Sequence, residues 1–142
     1  MRTFLIALAG LLSASMLSAG DGWLDDFEKA KTQAKMENKM ILLDFTGSDW
    51  CGWCMKLDKE VFEQQAWKDF AAKKLVLVKV DFPRRIQLPA ATKAQNDKLS
   101  ETYKIEGYPT IILTDATGAK KGETGYVPGG PEAFIKSLGP VK

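Results

Sequence analysis

The sequence predicts an α/β fold: one domain in which helices flank a central mixed sheet. Two observations carry this expectation. Stretches with helical spacing of apolar residues alternate with short, nearly continuous apolar runs, the pattern of parallel strands covered on both faces. Near the end of the chain two strand-like runs are joined by a tight turn, which adds an antiparallel edge. The 142 residues suffice for one well-buried core and are too few for two domains of ordinary size.

Residues 1–20 read MRTFLIALAGLLSASMLSAG. Arg2 supplies a positive start, Phe4 to Leu17 is uncharged and mostly apolar, and Ser18 and Gly20 place small residues before a cut at Asp21. This is the layout of a secretory signal peptide, leaving 21–142 as the domain. The apolar run is shorter than the roughly 20 residues that span a bilayer. Leu17-Ser18-Ala19-Gly20 resembles a lipobox, but Asp21 stands where a lipid-bearing cysteine is required. The domain is therefore expected outside the cytoplasm, where a cysteine pair can cycle as a disulfide.

Trp23, Phe27, Ala30 and Ala34 follow helical spacing, which predicts a first helix with Asp21 as N-cap and an end near Asn38. Met40 to Phe45 (MILLDF) is a buried strand interrupted by Asp44. Met55 to Phe62 reads as a helix, and a second helical stretch follows to about Lys74. Leu75 to Phe82 (LVLVKVDF) is the second strand, Pro83 to Pro89 a loop, and Ala90 to Tyr103 a helix. Thr110 to Leu113 and Lys121 to Tyr126 form the hairpin about the turn Asp115-Ala116-Thr117-Gly118. Pro131 starts the last helix. The predicted order is α-β-α-β-α-β-β-α.

Charge excludes several function classes. The chain carries 20 basic and 18 acidic residues, and their interspersed signs argue against a dedicated nucleic-acid binder. The short runs Lys73-Lys74, Arg84-Arg85 and Lys120-Lys121 read as solvated surface. There are two cysteines and no histidine, so no Ser–His or Cys–His couple and no His-ligated metal can form.

Cys51 and Cys54 follow a buried strand directly and open a helix. Cys51 then lies at the helix start, where unpaired N–H groups and the dipole stabilise a thiolate, the attacking species. Cys54, one turn on and more buried, can resolve a mixed disulfide formed on Cys51. A purely structural Cys51–Cys54 bond would close too small a loop to stabilise much. A zinc site would need about four ligands. A binding module that keeps its cysteines without turnover remains the alternative.

With WCGWC at 50–54, LVLVKVDF at 75–82, Gly107-Tyr108-Pro109-Thr110 before a strand and a closing GYVPGGPEAF, the chain resembles the thioredoxin superfamily over residues 23–138. It is most similar to exported bacterial members, some of which are periplasmic disulfide reductases. The resemblance implies the thioredoxin fold, with Pro109 as a cis-proline facing the Cys51–Cys54 pair. It leaves the backbone of Tyr108 free for an extended substrate. It also makes Asp44 the buried proton acceptor for Cys54, with a pKa raised by burial, and puts Lys79 where a lysine often neighbours that acid; a plain strand-edge lysine is the equal alternative. Three departures stand out. The acid-to-cysteine link is one residue longer, Pro83 to Asp97 is longer than in small thioredoxins, and the dipeptide between the cysteines is Gly52-Trp53.

Trp50, Trp53 and Tyr108 suggest an apolar rim suited to extended or unfolded protein substrates, with packing as the other role for each. Trp53 brings no charge to stabilise a thiolate, which favours a reductase over an oxidase or isomerase. The expected partners are protein disulfides or dithiols and a membrane-bound thiol electron donor. No nucleic acid, cofactor or metal is expected, and a monomer suffices.

Overall fold

The computed structural model describes residues 22–142. The signal peptide read over 1–20, and Asp21, lie outside the described residues. A five-stranded sheet has the order β1-β3-β2-β4-β5. Its strands are β1 (Trp23–Leu24), β2 (Met40–Thr46), β3 (Leu75–Asp81), β4 (Thr110–Thr114) and β5 (Lys120–Thr124). The helices are α1 (Phe27–Glu37), α2 (Gly52–Leu57), α3 (Gln65–Lys74), α4 (Ala90–Thr102) and α5 (Gly130–Ser137), and a π-helical turn, Asp58–Phe62, continues α2. β1, β3 and β2 are parallel, and β4 and β5 run antiparallel to their neighbours. This is the thioredoxin fold expected from the sequence.

Successive β2 side chains point to opposite faces, and both faces are covered. Met40 and Leu42 meet Leu57, Val61, Phe62, Trp67 and Phe134 from α2, its π turn, α3 and α5. Ile41, Leu43 and Phe45 meet Phe27, Ala30 and Ala34 of α1 and Leu99 of α4. The same alternation puts Asp44 on the α2 side. That face is where the reactive chemistry assembles.

The first helix starts later than its periodicity predicts. Asp26 is the N-cap, accepting the Lys29 N–H at 3.0 Å, and Trp23–Leu24 is instead an edge strand beside Leu77 and Val78. Trp23 therefore reaches the core from the sheet edge, where its ring meets Phe62 at 5.0 Å. The helix predicted over Met55–Phe62 begins three residues earlier and changes to π geometry halfway. The hairpin's return strand ends at Thr124, before the expected Tyr126.

The C-terminal helix sits tightly on the hairpin. A methyl group at Gly122 would stand 2.5 Å from the backbone carbonyl oxygen of Leu138, a contact no side-chain rotation relieves. Gly122→Ala should lower stability by about 1–3 kcal/mol, read as a lower urea midpoint at unchanged slope. An unmoved midpoint would mean that α5 and β5 do not approach this closely.

Candidate active site

Gly47 turns the chain out of β2, its carbonyl accepting the Trp50 and Cys51 N–H groups at 3.3 and 2.9 Å. Cys51 is the N-cap of α2, in extended conformation, and its Sγ accepts the Cys54 N–H at 3.2 Å. The first turn of α2 carries no acidic side chain to oppose negative charge on that sulfur. Cys51 and Cys54 are joined in a disulfide with Cα atoms 5.2 Å apart. Cys54 is the more buried, at 2%, and Cys51 is also covered, at 6%. The closed bond turns each sulfur onto the other.

The aromatic residues divide by role. Trp50 is a packing element: its Nε1 donates to the Phe82 carbonyl at 2.8 Å, and its ring meets Tyr108 edge-on at 5.7 Å. The Arg84 guanidinium lies 3.8 Å from the ring centre. A Cβ at Gly47 would come within 2.6 Å of the indole nitrogen, so glycine is required where the indole folds back. Trp53 is 58% exposed and Gly52 is exposed beside it. Tyr126 packs on Trp53 at 5.1 Å, and the Lys56 ammonium lies 5.1 and 5.2 Å from the two ring centres. The Tyr108–Pro109 peptide bond is cis, and both residues are half-buried. The Trp50–Tyr108 contact joins the cysteine loop to that segment.

Asp44 is 1% exposed. The parallel register sets Lys79 beside it, with Nζ 2.9 Å from Oδ2, while Oδ1 is buried without a hydrogen-bond partner. Burial pushes the Asp44 carboxyl up to about 6, against the pull of Lys79. Lys79 also reaches Asp58 Oδ1 at 3.5 Å. Burial alone would lower the Lys79 ammonium, but its two carboxylates outweigh this and hold it above its usual value. Asp58 is likewise raised, by burial.

Asp58 was not singled out in the sequence, although a signal existed. It lies four residues after Cys54, the spacing of one helical face, and its N–H donates to the Cys54 carbonyl. Asp44 is thus joined to the motif helix through Lys79 and Asp58. A second unread group is Asp49, whose carboxylate accepts the Arg84 and Arg85 N–H groups at 2.9 and 2.8 Å. Those bonds hold its pKa below the usual carboxylate range.

A carboxyl at about 6 in the folded protein and 3.8 in the unfolded chain keeps its proton over an interval where the unfolded chain has lost it. Its contribution to stability is therefore greatest at low pH and falls as pH rises through about 6. In the oxidised protein, where the cysteines do not titrate, Asp44→Asn should remove this loss. The stability gap between variant and wild type should widen by about 2–3 kcal/mol from pH 4 to 7.5, measured by urea unfolding. Parallel pH curves would refute the buried-acid assignment.

Residues 27–142 match the thioredoxin-like domain family. The chain is 34% identical over 114 residues to the disulfide bond reductase DsbH of Chlamydia pneumoniae, covering 80% of this chain and 69% of that protein. A solved structure described as DsbH oxidoreductase superposes with a TM-score of 0.77 at 32% identity, covering 92% and 90% of the two chains. The thiol:disulfide interchange protein DsbD of Actinobacillus pleuropneumoniae is 30% identical over 99 residues, which are 65% of this chain and only 15% of that protein. A fold with this cysteine pair at a helix start, matched over nearly all its described length, makes the chain a member of the thioredoxin-like family and a homologue of bacterial thiol–disulfide oxidoreductases.

Proposed function

We propose that this chain is an exported protein-disulfide reductase. The observation that carries the reading is the Cys51–Cys54 pair across the first turn of α2, with the Cys54 N–H directed at Cys51 Sγ. In the reduced protein the Cys51 thiolate attacks a substrate disulfide, forming a mixed disulfide and expelling one substrate thiolate. Cys54 then loses its proton and attacks Cys51 Sγ. That closes the Cys51–Cys54 bond and releases the second substrate thiol. Two electrons pass to the substrate; the Cys54 proton and one proton from solvent convert its two expelled thiolates to thiols. Asp44, with a pKa near the working range, is the group proposed to take the Cys54 proton, with Lys79 and Asp58 relaying charge beside it. The segment at Tyr108 and Pro109 and the exposed Trp53 are proposed to hold the substrate backbone and side chains.

The layout of residues 1–20 supports export to the periplasm. Turnover there needs a thiol partner to reduce Cys51–Cys54 again, and a membrane-bound donor fits that need. The direction rests on charge. No histidine is present, and Trp53 between the cysteines is neutral, so the thiolate gains less than in strong oxidants. One observation favours an oxidase or isomerase: the Lys56 ammonium sits over Trp53. That ammonium is about half exposed, where solvent and salt screen it, so the reductase reading is preferred.

Equilibration with glutathione buffers, followed by mass after alkylation, measures the potential. A value nearer roughly −270 mV than roughly −120 mV is expected, together with faster dithiothreitol-driven reduction of insulin. A potential above about −170 mV would make the protein an oxidase or isomerase. In Cys54→Ser, mixed disulfides through Cys51 should accumulate; their capture through position 54 in Cys51→Ser instead would reverse the two roles.

A further inference from the structure

Phe82 to Pro89 links β3 to α4, and with the start of α4 it walls a cleft of about 520 Å³. The near end of this segment is built onto the redox motif. Asp49 holds the Arg84 and Arg85 N–H groups, Phe82 accepts from Trp50, and the Phe82 ring packs on Tyr108 at 5.4 Å. Trp50 immediately precedes Cys51 and carries the Arg84 guanidinium on its ring. A client chain extended past Cys51 therefore reaches Arg84 to Ile86 within a few residues, at about 3.3–3.6 Å each.

Among the charged residues that line the cleft, Arg84, Arg85 and Lys93 outnumber Asp81 and Asp97. Asp81 is occupied by the Ser48 N–H and hydroxyl, at 2.9 and 2.5 Å, and Asp97 by Lys93 at 2.7 Å. Asp49 is occupied by backbone and feels Arg85 only at longer range. Among the described residues every ion pair uses a lysine, so Arg84 and Arg85 enter none. Beside them Ile86 is 60% exposed. The floor is firm: buried Asn96 donates to the Asp81 carbonyl at 2.9 Å.

From this geometry we infer that the cleft is a docking surface for the extended stretch of a client protein flanking its reacting disulfide. An acidic side chain is received by Arg85 at the edge of Arg84, and a neighbouring apolar one by Ile86. The inference rests on the reductase reading and adds a preference to it: clients with acidic–apolar flanks react faster than those with basic flanks.

Three decapeptides test this, each carrying one cysteine as a mixed disulfide with mercaptoethanol and flanked on both sides by Glu-Leu, Gln-Leu or Lys-Leu. Pre-reduced protein is mixed with each in a single turnover, yielding peptide thiol, mercaptoethanol and the Cys51–Cys54 disulfide. At low salt the Glu peptide should react about threefold to fivefold faster than the Gln peptide, and the Lys peptide slower still. The order should collapse at 0.5 M sodium chloride and invert in Arg85→Glu. Equal rates for all three in the wild type, or an order unchanged in Arg85→Glu, would overturn the docking surface. Failure to reduce any peptide, and bis(2-hydroxyethyl) disulfide as well, would sink the reductase reading instead. Fluorescent peptides with serine replacing cysteine, followed by anisotropy, then still decide whether the cleft prefers acidic segments.

Discussion

The parallel pairing of β2 with β3 runs unbroken from Met40 beside Leu75 to Thr46 beside Asp81, and so it ends both strands at the same height. Two loops then leave the sheet side by side, and neither stands alone. The Phe82 N–H donates to Thr46, Ser48 bonds Asp81, Asp49 takes two N–H groups of the other loop, and Trp50 donates to Phe82. Slipping the register by one residue would turn every β3 side chain to the other face. It would part Lys79 from Asp44 and leave a buried carboxylate unpaired. The cysteine loop owes its position to a backbone ladder that begins well away from it.

The same ladder explains how a carboxyl survives inside the sheet. An isolated buried ion is expensive, and Lys79 offsets that cost for Asp44 without abolishing it. Lys79 is shared with Asp58 and lies 4.2 Å from the Trp23 ring centre. One cation thus serves two carboxyls, each of which holds its proton more firmly than an ordinary Asp. The arrangement leaves Asp44 with Oδ1 buried and without a hydrogen-bond partner, which supports the proton-acceptor role proposed for it.

What could be read from the chain was local. The two core strands show as nearly continuous apolar runs, and the Cys51–Cys54 spacing with its helix start needs only a few neighbouring residues. Asp44 stood out because an acid within MILLDF has no ordinary explanation. What escaped was either too short or too distant. β1 is two residues long and carries no alternation, and its Trp23 happened to fall at a helical interval from Phe27. Lys79 could be read equally as a strand-edge lysine, because its pairing depends on register between segments 35 residues apart in the chain. Asp49 was illegible for another reason: its partners are backbone N–H groups, which no residue type announces. Asp58 could have been found from its interval after Cys54.

The fit of Gly47 under the Trp50 indole has a consequence for how this sequence can vary. The two positions share one volume, so they are not independent sites. A larger residue at 47 is tolerable only where 50 has already become smaller, and a smaller residue at 50 opens a void that glycine cannot fill. Each single change is worse than the pair together, an epistatic couple separated by only two residues. The second position also carries the Arg84 stack and the hydrogen bond to Phe82. Drift through that pair would therefore loosen the grip on the neighbouring loop even in a chain whose cysteines were untouched.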